Sequence, residues 1–257
     1  MNYALLLSGG IGSRTGADMP KQYIRAGSYM MTTYAVKSLV LSKNIDAVYI
    51  VAETDRRDEI LSDIGSAGLD LSKIKGVAHP GKNRQLSIFN GMEQILVENK
   101  SKEDRNISDE TKVGAGNDES KDTILIHDAA RPFLTEELLE NMYRALEDHD
   151  GVMPYLPMKD TVYESYDGRK ISRLLDRKRI YAGQAPELFR LKAYYKANMA
   201  LMPDKIYGIN GASEPAVLAG MDIVMIPGDE KNFKVTTAED LKKFKEIEEI
   251  MLMNTGI

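Results

Sequence analysis

A glycine-rich segment near the start of the chain carries residue types that bind phosphate. The run Leu6–Arg14 reads LLSGGIGSR, and Pro20-Lys21-Gln22 follows it. Because glycine has no Cβ, several backbone N–H groups of such a turn can converge on one anion. Arg14 and Lys21 could then neutralise the charge that develops on phosphate during a transfer reaction. The segment predicts nucleotide chemistry at the first strand-to-helix junction.

The glycine spacing differs from that of the two best-known phosphate-binding loops. A P-loop closes with Gly-Lys-Ser/Thr, whereas Gly12 is followed by Ser13-Arg14. The dinucleotide fingerprint needs a third glycine where Thr15 stands, and Gly16 comes one residue late. A nicotinamide-dependent oxidoreductase is therefore the weaker alternative. Taken alone, the turn is also compatible with a purely structural role.

Two later segments carry further candidate residues. His127-Asp128-Ala129-Ala130-Arg131-Pro132 follows the apolar run TILI, so Asp128 would end a strand and face the same crevice as the glycine turn. Asp128 could bind a divalent cation or a hydroxyl, or it could cap a turn and pair with Arg131. Nothing marks a catalytic partner for His127, which favours a structural role. Lys234 lies just before a helix with Thr237 as its N-cap, where it is either functional or an exposed edge charge.

The elements that would position these residues alternate between short apolar strands and helices. The sequence predicts strands over 3–7, 47–52, 74–78, 123–126, 152–156 and 223–226, and helices over 31–41, 56–64, 87–97, 135–146 and 238–253. This alternation indicates an α/β fold with a mainly parallel twisted sheet and helices on both faces. Ligands of such sheets bind beyond the carboxyl ends of the strands, where the glycine turn lies.

Length and composition narrow the class of protein. The 257 residues, 43% of them hydrophobic, are enough for one large domain, which we expect to cover residues 1–257. A formal net charge of −5 argues against nonspecific binding to nucleic acid. The absence of cysteine excludes thiol catalysis, disulfides and cysteine-bound zinc. With no apolar run long enough to span a membrane, we expect a soluble cytoplasmic protein.

Two stretches interrupt the alternation of strands and helices. Residues 99–122 are rich in charged and small polar side chains, which cannot bury a core face, and predict a mobile surface insertion. Residues 159–171 alternate around Asp167-Gly168, a strong hairpin signal. A two-stranded ribbon is marginally stable by itself, so this arm, at about 158–178, is expected to pack on another surface, for which a second subunit is a candidate.

Together these segments resemble the 2-C-methyl-D-erythritol 4-phosphate cytidylyltransferase family and its close relatives, the ribitol-5-phosphate cytidylyltransferases. The resemblance runs in order over nearly the whole chain. The segments that carry it are 9–14, 20–22, 84–91 (RQLSIFNG), 127–132 (HDAARP), 159–161 (KDT), 176–177 (DR), 183–186 (GQAP) and 234–236 (KVT). The resemblance implies a Rossmann-like nucleotidyltransferase domain and a homodimer held by an extended hairpin arm, which agrees with the hairpin read from the sequence.

The resemblance also implies roles for individual residues. Arg14, Lys21 and Lys234 would act on the reacting phosphates. The residues that would bind CTP are Ser8, Gly9, Gly10, Gly12, Gly81, Lys82, Ser87 and Asp128. Arg131, Thr161 and Arg177 would bind the acceptor substrate, the last two from across the dimer. Mg²⁺ would be the cofactor, with Asp128 as its candidate ligand, and the acceptor would be a polyol or sugar phosphate.

The residue types suit this chemistry. A phosphate-monoester oxygen of the acceptor would attack the α-phosphorus of CTP, and pyrophosphate would leave. The nucleophile is already anionic, so no activated Ser, Cys or His is required. Catalysis would rest on positioning and on charge neutralisation by Mg²⁺, Arg and Lys.

Some positions depart from the family pattern and leave the acceptor open. The family has an aspartate where this chain has Asn210 or Gly211, and Glu214 is a candidate to replace it. Thr15 stands where methionine is usual, and Ala185 where threonine is usual. Methylerythritol phosphate, ribitol phosphate or another sugar phosphate all fit, with residues 181–184 closer to the ribitol branch. A catalytically weak CTP-binding paralogue is a further alternative.

Overall fold

A mixed, mostly parallel sheet forms the centre of the molecule. The computed structural model describes residues 1–10, 19–106 and 121–255. Within them the strands are β1 (Asn2–Leu7), β2 (Arg25–Ala26), β3 (Tyr29–Met30), β4 (Ala47–Val51), β5 (Ile74–Ala78), β6 (Thr123–Asp128), β7 (Gly151–Pro157), β8 (Val162–Glu164), β9 (Arg173–Leu175), β10 (Tyr181–Gly183), β11 (Glu187–Arg190) and β12 (Ile223–Pro227). The α-helices are α1 (Met31–Leu41), α2 (Arg57–Ser66), α3 (Arg84–Asn106), α4 (Glu136–Ala145), α5 (Leu191–Met199), α6 (Glu214–Leu218) and α7 (Ala238–Thr255).

The sheet has eight strands in the order β10-β7-β11-β6-β1-β4-β5, with β12 paired to β7. The pairs of β1 with β4 and β6, of β4 with β5, and of β7 with β12 are parallel. Strand β11 is antiparallel to both β6 and β7, and β10 is antiparallel to β7. The sheet is therefore parallel across its centre, and β11 and β10 are the strands that run the other way.

Alternate residues of the central strand enter two different cores. Tyr3 and Leu5 pack on one face with the buried side chains of α3 and α5, and Ala4 and Leu6 pack on the other face with those of α1, α2 and α4. All four side chains are at most 2% exposed. A strand buried on both faces needs a continuous apolar sequence, which explains the run YALLL. Phe244 of α7 belongs to a third, smaller cluster.

The predicted architecture is confirmed, with differences at particular elements. Each predicted strand and helix is present, all but one within a few residues of its expected limits, and Thr135 and Thr237 accept the hydrogen bonds expected of N-caps. The helix expected at 87–97 begins at Arg84 and continues to Asn106, past the start of the predicted insertion. Residues 107–120 of that insertion lie outside the described residues.

The predicted hairpin is present as the pair β8–β9. Val162 lies opposite Leu175 in an antiparallel register. Gly168 has φ +68°, a left-handed conformation that glycine adopts without strain, and the Asp167 carboxylate accepts the N–H groups of Arg169 and Lys170. The Asp-Gly pair therefore lies in the turn as expected, but the second strand, Arg173–Leu175, begins just beyond the hairpin predicted at 159–171.

No helix in the part of the chain that the structure describes is long and apolar enough to cross a membrane.

Candidate active site

The segments that follow strands β1, β5 and β6 meet at one cavity. Leu7 of β1 lies in register with Asp128 of β6, so the Gly9-Gly10 turn and the Asp128 carboxylate start side by side. The loop after β5 brings Gly81 to the same edge of the sheet. The cavity has a volume of about 420 Å³. The predicted site residues that line it are Gly9, Gly10, Lys21, Gly81, Lys82, Ser87, Asp128 and Lys234.

The described part of the glycine turn is held from behind by two side chains of the next segment. The Gln22 amide nitrogen donates to the carbonyl oxygens of Ser8 (2.8 Å) and Gly10 (2.6 Å), and the Tyr23 hydroxyl also donates to Ser8 (2.9 Å). A Cβ on Gly9 would lie 2.6 Å from the Cβ of Pro80, so this position needs glycine for a close approach. Gln22 thus fixes the turn, although the sequence suggested no role for it.

Ser8 is the predicted residue of this region that the structure places away from the cavity. Ser8 is buried beneath the turn, where its hydroxyl shares a hydrogen bond with that of Thr32 at 3.0 Å. Gly12 and Arg14 lie outside the described residues, so their predicted roles stay predictions.

The loop from Gly81 to Ser87 forms the wall of the cavity and starts α3. The Asn83 side-chain oxygen accepts the N–H of Leu86, and the Ser87 hydroxyl accepts the N–H of Gly81 while donating to the carbonyl of Asn83. The first turn of a long helix presents N–H groups and a positive dipole end, which favours an anion. Lys82 is exposed at the rim of the cavity and adds positive charge there.

Asp128 is the electrostatic centre of the cavity. Its Oδ1 accepts hydrogen bonds from Nη2 (3.0 Å) and Nε (3.3 Å) of Arg84, and its Oδ2 accepts one from Nζ of Lys234 (2.7 Å). Burial would raise the pKa of the Asp128 carboxyl, but Arg84 and Lys234 outweigh that effect and hold the pKa well below its usual range. Asp128 is therefore an anion that keeps two cations at the site. The alternative ion pair with Arg131 is not the arrangement found, because the Arg131 guanidinium donates to the carbonyl of Asn232 (2.7 Å).

Hydrogen bonds between side chains and main-chain atoms hold the loop that carries Lys234 against the rest of the site. Nζ of Lys21 donates to the carbonyl of Val235 at 2.7 Å, so the two predicted catalytic lysines lie on contacting segments. The buried Gln184 side chain donates to the carbonyl of Asp229 (2.8 Å) and accepts its N–H (3.1 Å). The amide of Asn232, also buried, donates to Ala185 at 2.8 Å. These contacts fix the loop before Lys234.

The residues predicted to bind the acceptor do not line the cavity. Arg131 faces Asn232, as described above. Thr161 is exposed at the start of the arm, and the Arg177 guanidinium donates to the carbonyl of Lys159 at 2.7 Å. Lys159 also forms an exposed ion pair with Glu230 at 2.5 Å. Within one chain the arm residues are thus away from the cavity, and their predicted role needs a second subunit.

The described residues contain no group of three or more His, Asp or Glu side chains that could hold a metal ion by themselves. Among the described residues, Asp128 is the one carboxylate that lines the cavity. Mg²⁺ commonly keeps several waters and takes one or two carboxylates together with substrate phosphates. One carboxylate beside a phosphate cradle fits an ion that arrives with a nucleotide.

His127 is structural, as expected. Its side chain is fully buried, and its Nε2 lies 3.0 Å from the carbonyl oxygen of Arg131. Burial lowers the pKa of His127 to about 4, so the imidazole is neutral at pH 7 and donates to that carbonyl.

Besides Gln22, the site contains Asn83, Arg84 and Glu187, for which the sequence predicted no role. Asn83 and Arg84 line the cavity, and the buried Glu187 has an oxygen 3.9 Å from Nη2 of Arg84. Burial raises the pKa of Glu187, and Arg84 opposes that rise. An asparagine just before a helical pattern is an N-cap signal that could have located the first two. Acidic residues are seldom buried, so nothing in the sequence around Glu187 predicts that it lies inside the protein next to the site.

The segment that departs from the family pattern folds as a local cap. The N–H of Asn210 donates to the Glu214 carboxylate at 2.7 Å. Asn210, Gly211 and Glu214 are absent from the lining of the cavity among the described residues. Glu214 therefore serves the start of α6, and its predicted replacement of the missing aspartate stays a prediction.

Comparison with known proteins identifies one family. A family model described as IspD, 2-C-methyl-D-erythritol 4-phosphate cytidylyltransferase, matches residues 3–102 and 102–249. The enzyme of that name from Rubrobacter xylanophilus is 30% identical over 242 residues, which cover 93% of this chain and 90% of the relative. A bifunctional IspD/IspF enzyme from Maricaulis maris is 29% identical over 244 residues, and there the chain spans 55% of the relative's length.

Solved structures share the fold. The 4-diphosphocytidyl-2C-methyl-D-erythritol synthase of Anaerococcus prevotii superposes with a TM-score of 0.74 at 22% identity and covers 96% of both chains. The 2-C-methyl-D-erythritol 4-phosphate cytidylyltransferase of Francisella tularensis gives a TM-score of 0.70 at 20% identity and covers 94% of this chain and 97% of that one.

Proposed function

Because this chain belongs to the 2-C-methyl-D-erythritol 4-phosphate cytidylyltransferase family, we propose that it transfers CMP from CTP to the phosphate of 2-C-methyl-D-erythritol 4-phosphate and releases pyrophosphate. The family itself is the one that the ordered sequence motifs predicted. The substrates are taken from the names of the relatives, and the geometry of the cavity supports the nucleotide half of the reaction.

The observation that carries the proposal is the meeting of three cations with a glycine turn in one cavity. Arg84 and Lys234 both bind Asp128, and Lys21 lines the same cavity beside the Gly9-Gly10 turn. A triphosphate brings about four negative charges, and a cavity that concentrates cations around one anion can exchange those contacts for phosphate contacts.

The chain's own residues would act by binding and charge neutralisation. The Gly9-Gly10 turn and the first turn of α3 would hold the phosphates through backbone N–H groups. Lys21 and Lys234, with Arg14 as predicted from the sequence, would stabilise the charge at the α-phosphorus as pyrophosphate leaves. The acceptor phosphate is an anionic nucleophile, so no side chain has to remove a proton from it.

Mg²⁺ fits this site as an ion that comes with CTP, and Asp128 would hold it. Such an ion supplies positive charge to the phosphate oxygens. Each Asp128 oxygen already accepts a cationic donor, so Asp128 would also keep Arg84 and Lys234 beside the phosphates.

The acceptor half of the site would be completed by a second subunit. Thr161 and Arg177 lie on or next to the arm, away from the cavity of their own chain. Exposed apolar side chains of the arm, with Tyr166 88% and Ile171 67% exposed, support its packing on a partner chain. We therefore propose a homodimer in which the arm brings both residues to the partner's cavity.

Two broader features belong to the same proposal. Residues 1–257 would act as one nucleotidyltransferase domain with an appended arm and the insertion at 99–122. A cytoplasmic location is proposed as well, since the reaction consumes CTP, which is a cytoplasmic metabolite.

The test is a pyrophosphate-release assay with a panel of acceptors. Purified protein with Mg²⁺ and CTP is given 2-C-methyl-D-erythritol 4-phosphate, ribitol 5-phosphate and other sugar phosphates, with ATP, GTP and UTP as donor controls. We expect release with CTP and the methylerythritol acceptor. Release with ribitol 5-phosphate alone would correct the acceptor. CTP binding without any release would favour a catalytically weak paralogue, and absence of both binding and release would contradict the proposal.

A further inference from the structure

A second buried acidic side chain, Glu187, lies behind the nucleotide cavity on the sheet. Glu187 on β11 lies opposite Ile126 of β6, and Asp128 follows two residues later on β6. Cross-strand partners share a face of the sheet, as do residues two apart on one strand, so Glu187 and Asp128 point to the same face. Ile126 packs there with Ile88 and Met92 of α3. Both carboxylates are therefore directed toward the start of α3.

The side chain that meets both carboxylates is Arg84, the first residue of α3. Its Nη2 is 3.0 Å from Oδ1 of Asp128 and 3.9 Å from Oε1 of Glu187. The Asp128 and Glu187 side chains are each 10% exposed, whereas Arg84 is 31% exposed toward the cavity. The two acids therefore lie on the buried side of Arg84, a residue that lines the nucleotide cavity.

The two acids are not equivalent. Asp128 also binds Lys234 and lines the cavity, so an incoming triphosphate competes directly for its cations. Glu187 does not line the cavity. A guanidinium has five N–H donors in a fixed fork, so it can release one carboxylate while it keeps the other.

We infer that Glu187 is a positioning residue that holds the Arg84 guanidinium in the nucleotide site while Arg84 exchanges its bond to Asp128 for a bond to a phosphate. The inference rests on the proposed function for its catalytic consequence, but the anchoring of Arg84 by Glu187 is a property of the free protein. Without Glu187, the carboxylate of Asp128 would compete with the phosphate for the same side chain.

The experiment compares Glu187→Gln, which keeps the size of the side chain and removes its charge, with Glu187→Asp, Arg84→Met and the double variant Arg84→Met/Glu187→Gln. Glu93→Gln on the exposed side of α3 is the matched control. Thermal unfolding first establishes that each variant is folded. Hydrogen exchange of the Arg84 Nε–H, followed by NMR and assigned by its loss in Arg84→Met, then reports the anchoring without any substrate.

We expect Glu187→Gln to speed Arg84 Nε–H exchange and to lower kcat between about tenfold and about a hundredfold, with the KM for CTP changed less than about threefold. Glu187→Asp should recover part of both effects. In the Arg84→Met background, Glu187→Gln should lower kcat no further, because Glu187 acts through Arg84.

Two outcomes would overturn the inference. Unchanged Arg84 exchange in folded Glu187→Gln would show that Glu187 does not anchor the guanidinium, and effects on kcat that multiply in the double variant would show that Glu187 acts independently. Absence of turnover in the unsubstituted protein would instead contradict the proposed function, and the exchange measurement would still decide the anchoring.

Discussion

Replacing Lys234 by methionine removes one charge from the centre of the site and keeps most of the side-chain volume. Nζ of Lys234 is 2.7 Å from Oδ2 of Asp128, where an effective dielectric constant of about 20 gives a gross attraction of about 6 kcal/mol. The Lys234 side chain is 37% exposed, so solvent screening and the cost of desolvation cancel most of that attraction. We expect Lys234→Met to lower the free energy of unfolding by only about 1–2 kcal/mol.

The effect on catalysis should be larger than the effect on stability. A charge-neutralising group that acts on the transition state is worth about a hundredfold to a thousandfold in kcat, or about 3–4 kcal/mol. The KM for CTP should change much less. The loss of turnover would therefore exceed what the loss of folded protein can explain, because a loss of 1–2 kcal/mol leaves a protein of ordinary stability folded.

The assay measures pyrophosphate release and urea unfolding on the same preparations. Lys231→Met, on an exposed residue of the same loop, is the matched control. Asp128→Asn/Lys234→Met should be no more active than Lys234→Met, because neither variant carries the Lys234 charge that acts on the phosphates. Turnover of Lys234→Met within about threefold of the unsubstituted protein would refute the reasoning and leave Lys234 as a structural partner of Asp128.

Three further changes test separate features. Lys21→Ala should lower kcat about a hundredfold or more and leave the unfolding midpoint nearly unchanged, whereas near-normal turnover would remove Lys21 from the mechanism. Gly81→Ala should weaken CTP binding, measured by calorimetry, because its Cβ would lie 2.6 Å from the backbone carbon of Leu86; unchanged affinity would show that the loop adapts. The folded-state pKa of His127, at about 4, is below the unfolded value of about 6.5, so the free energy of unfolding should fall by about 3 kcal/mol as the pH drops through that window. His127→Gln should flatten this slope in urea titrations, and an unchanged slope would assign it to other groups.

The parts of the fold that could be predicted are those in which local sequence and final environment agree. The run YALLL has to be buried on both faces, and it forms the centre of the sheet. Strand β11 was not predicted because its four residues, ELFR, begin and end with charge and are too short to show a period. Its antiparallel pairing with β6 depends on a distant part of the chain, and local patterns carry no information on such pairing.

The same distinction applies to the site. Asp128 and the glycine turn could be placed together because the carboxyl ends of parallel strands share an edge. Glu187 could not be found, since its position depends on the register between β11 and β6. The contacts of Lys21 and Gln22 with backbone carbonyls also depend on tertiary packing, so the sequence indicates the charge of Lys21 but not the hydrogen-bond partners of either side chain.

Gln184 links the strand that follows the arm to the loop that carries Lys234. It directly follows β10, the strand that leads back from the arm, and its amide holds both polar groups of the Asp229 backbone. Under the proposed role of the arm in acceptor binding, exchanging arms between relatives is a route to a new acceptor preference. A chimera whose exchanged segment extends from the arm through Gln184 has to carry residues 228–235 as well, because a different residue at position 184 would otherwise meet a loop shaped for Gln184 and shift Lys234. The part of this protein that has to be exchanged together therefore consists of two stretches that are far apart in the sequence.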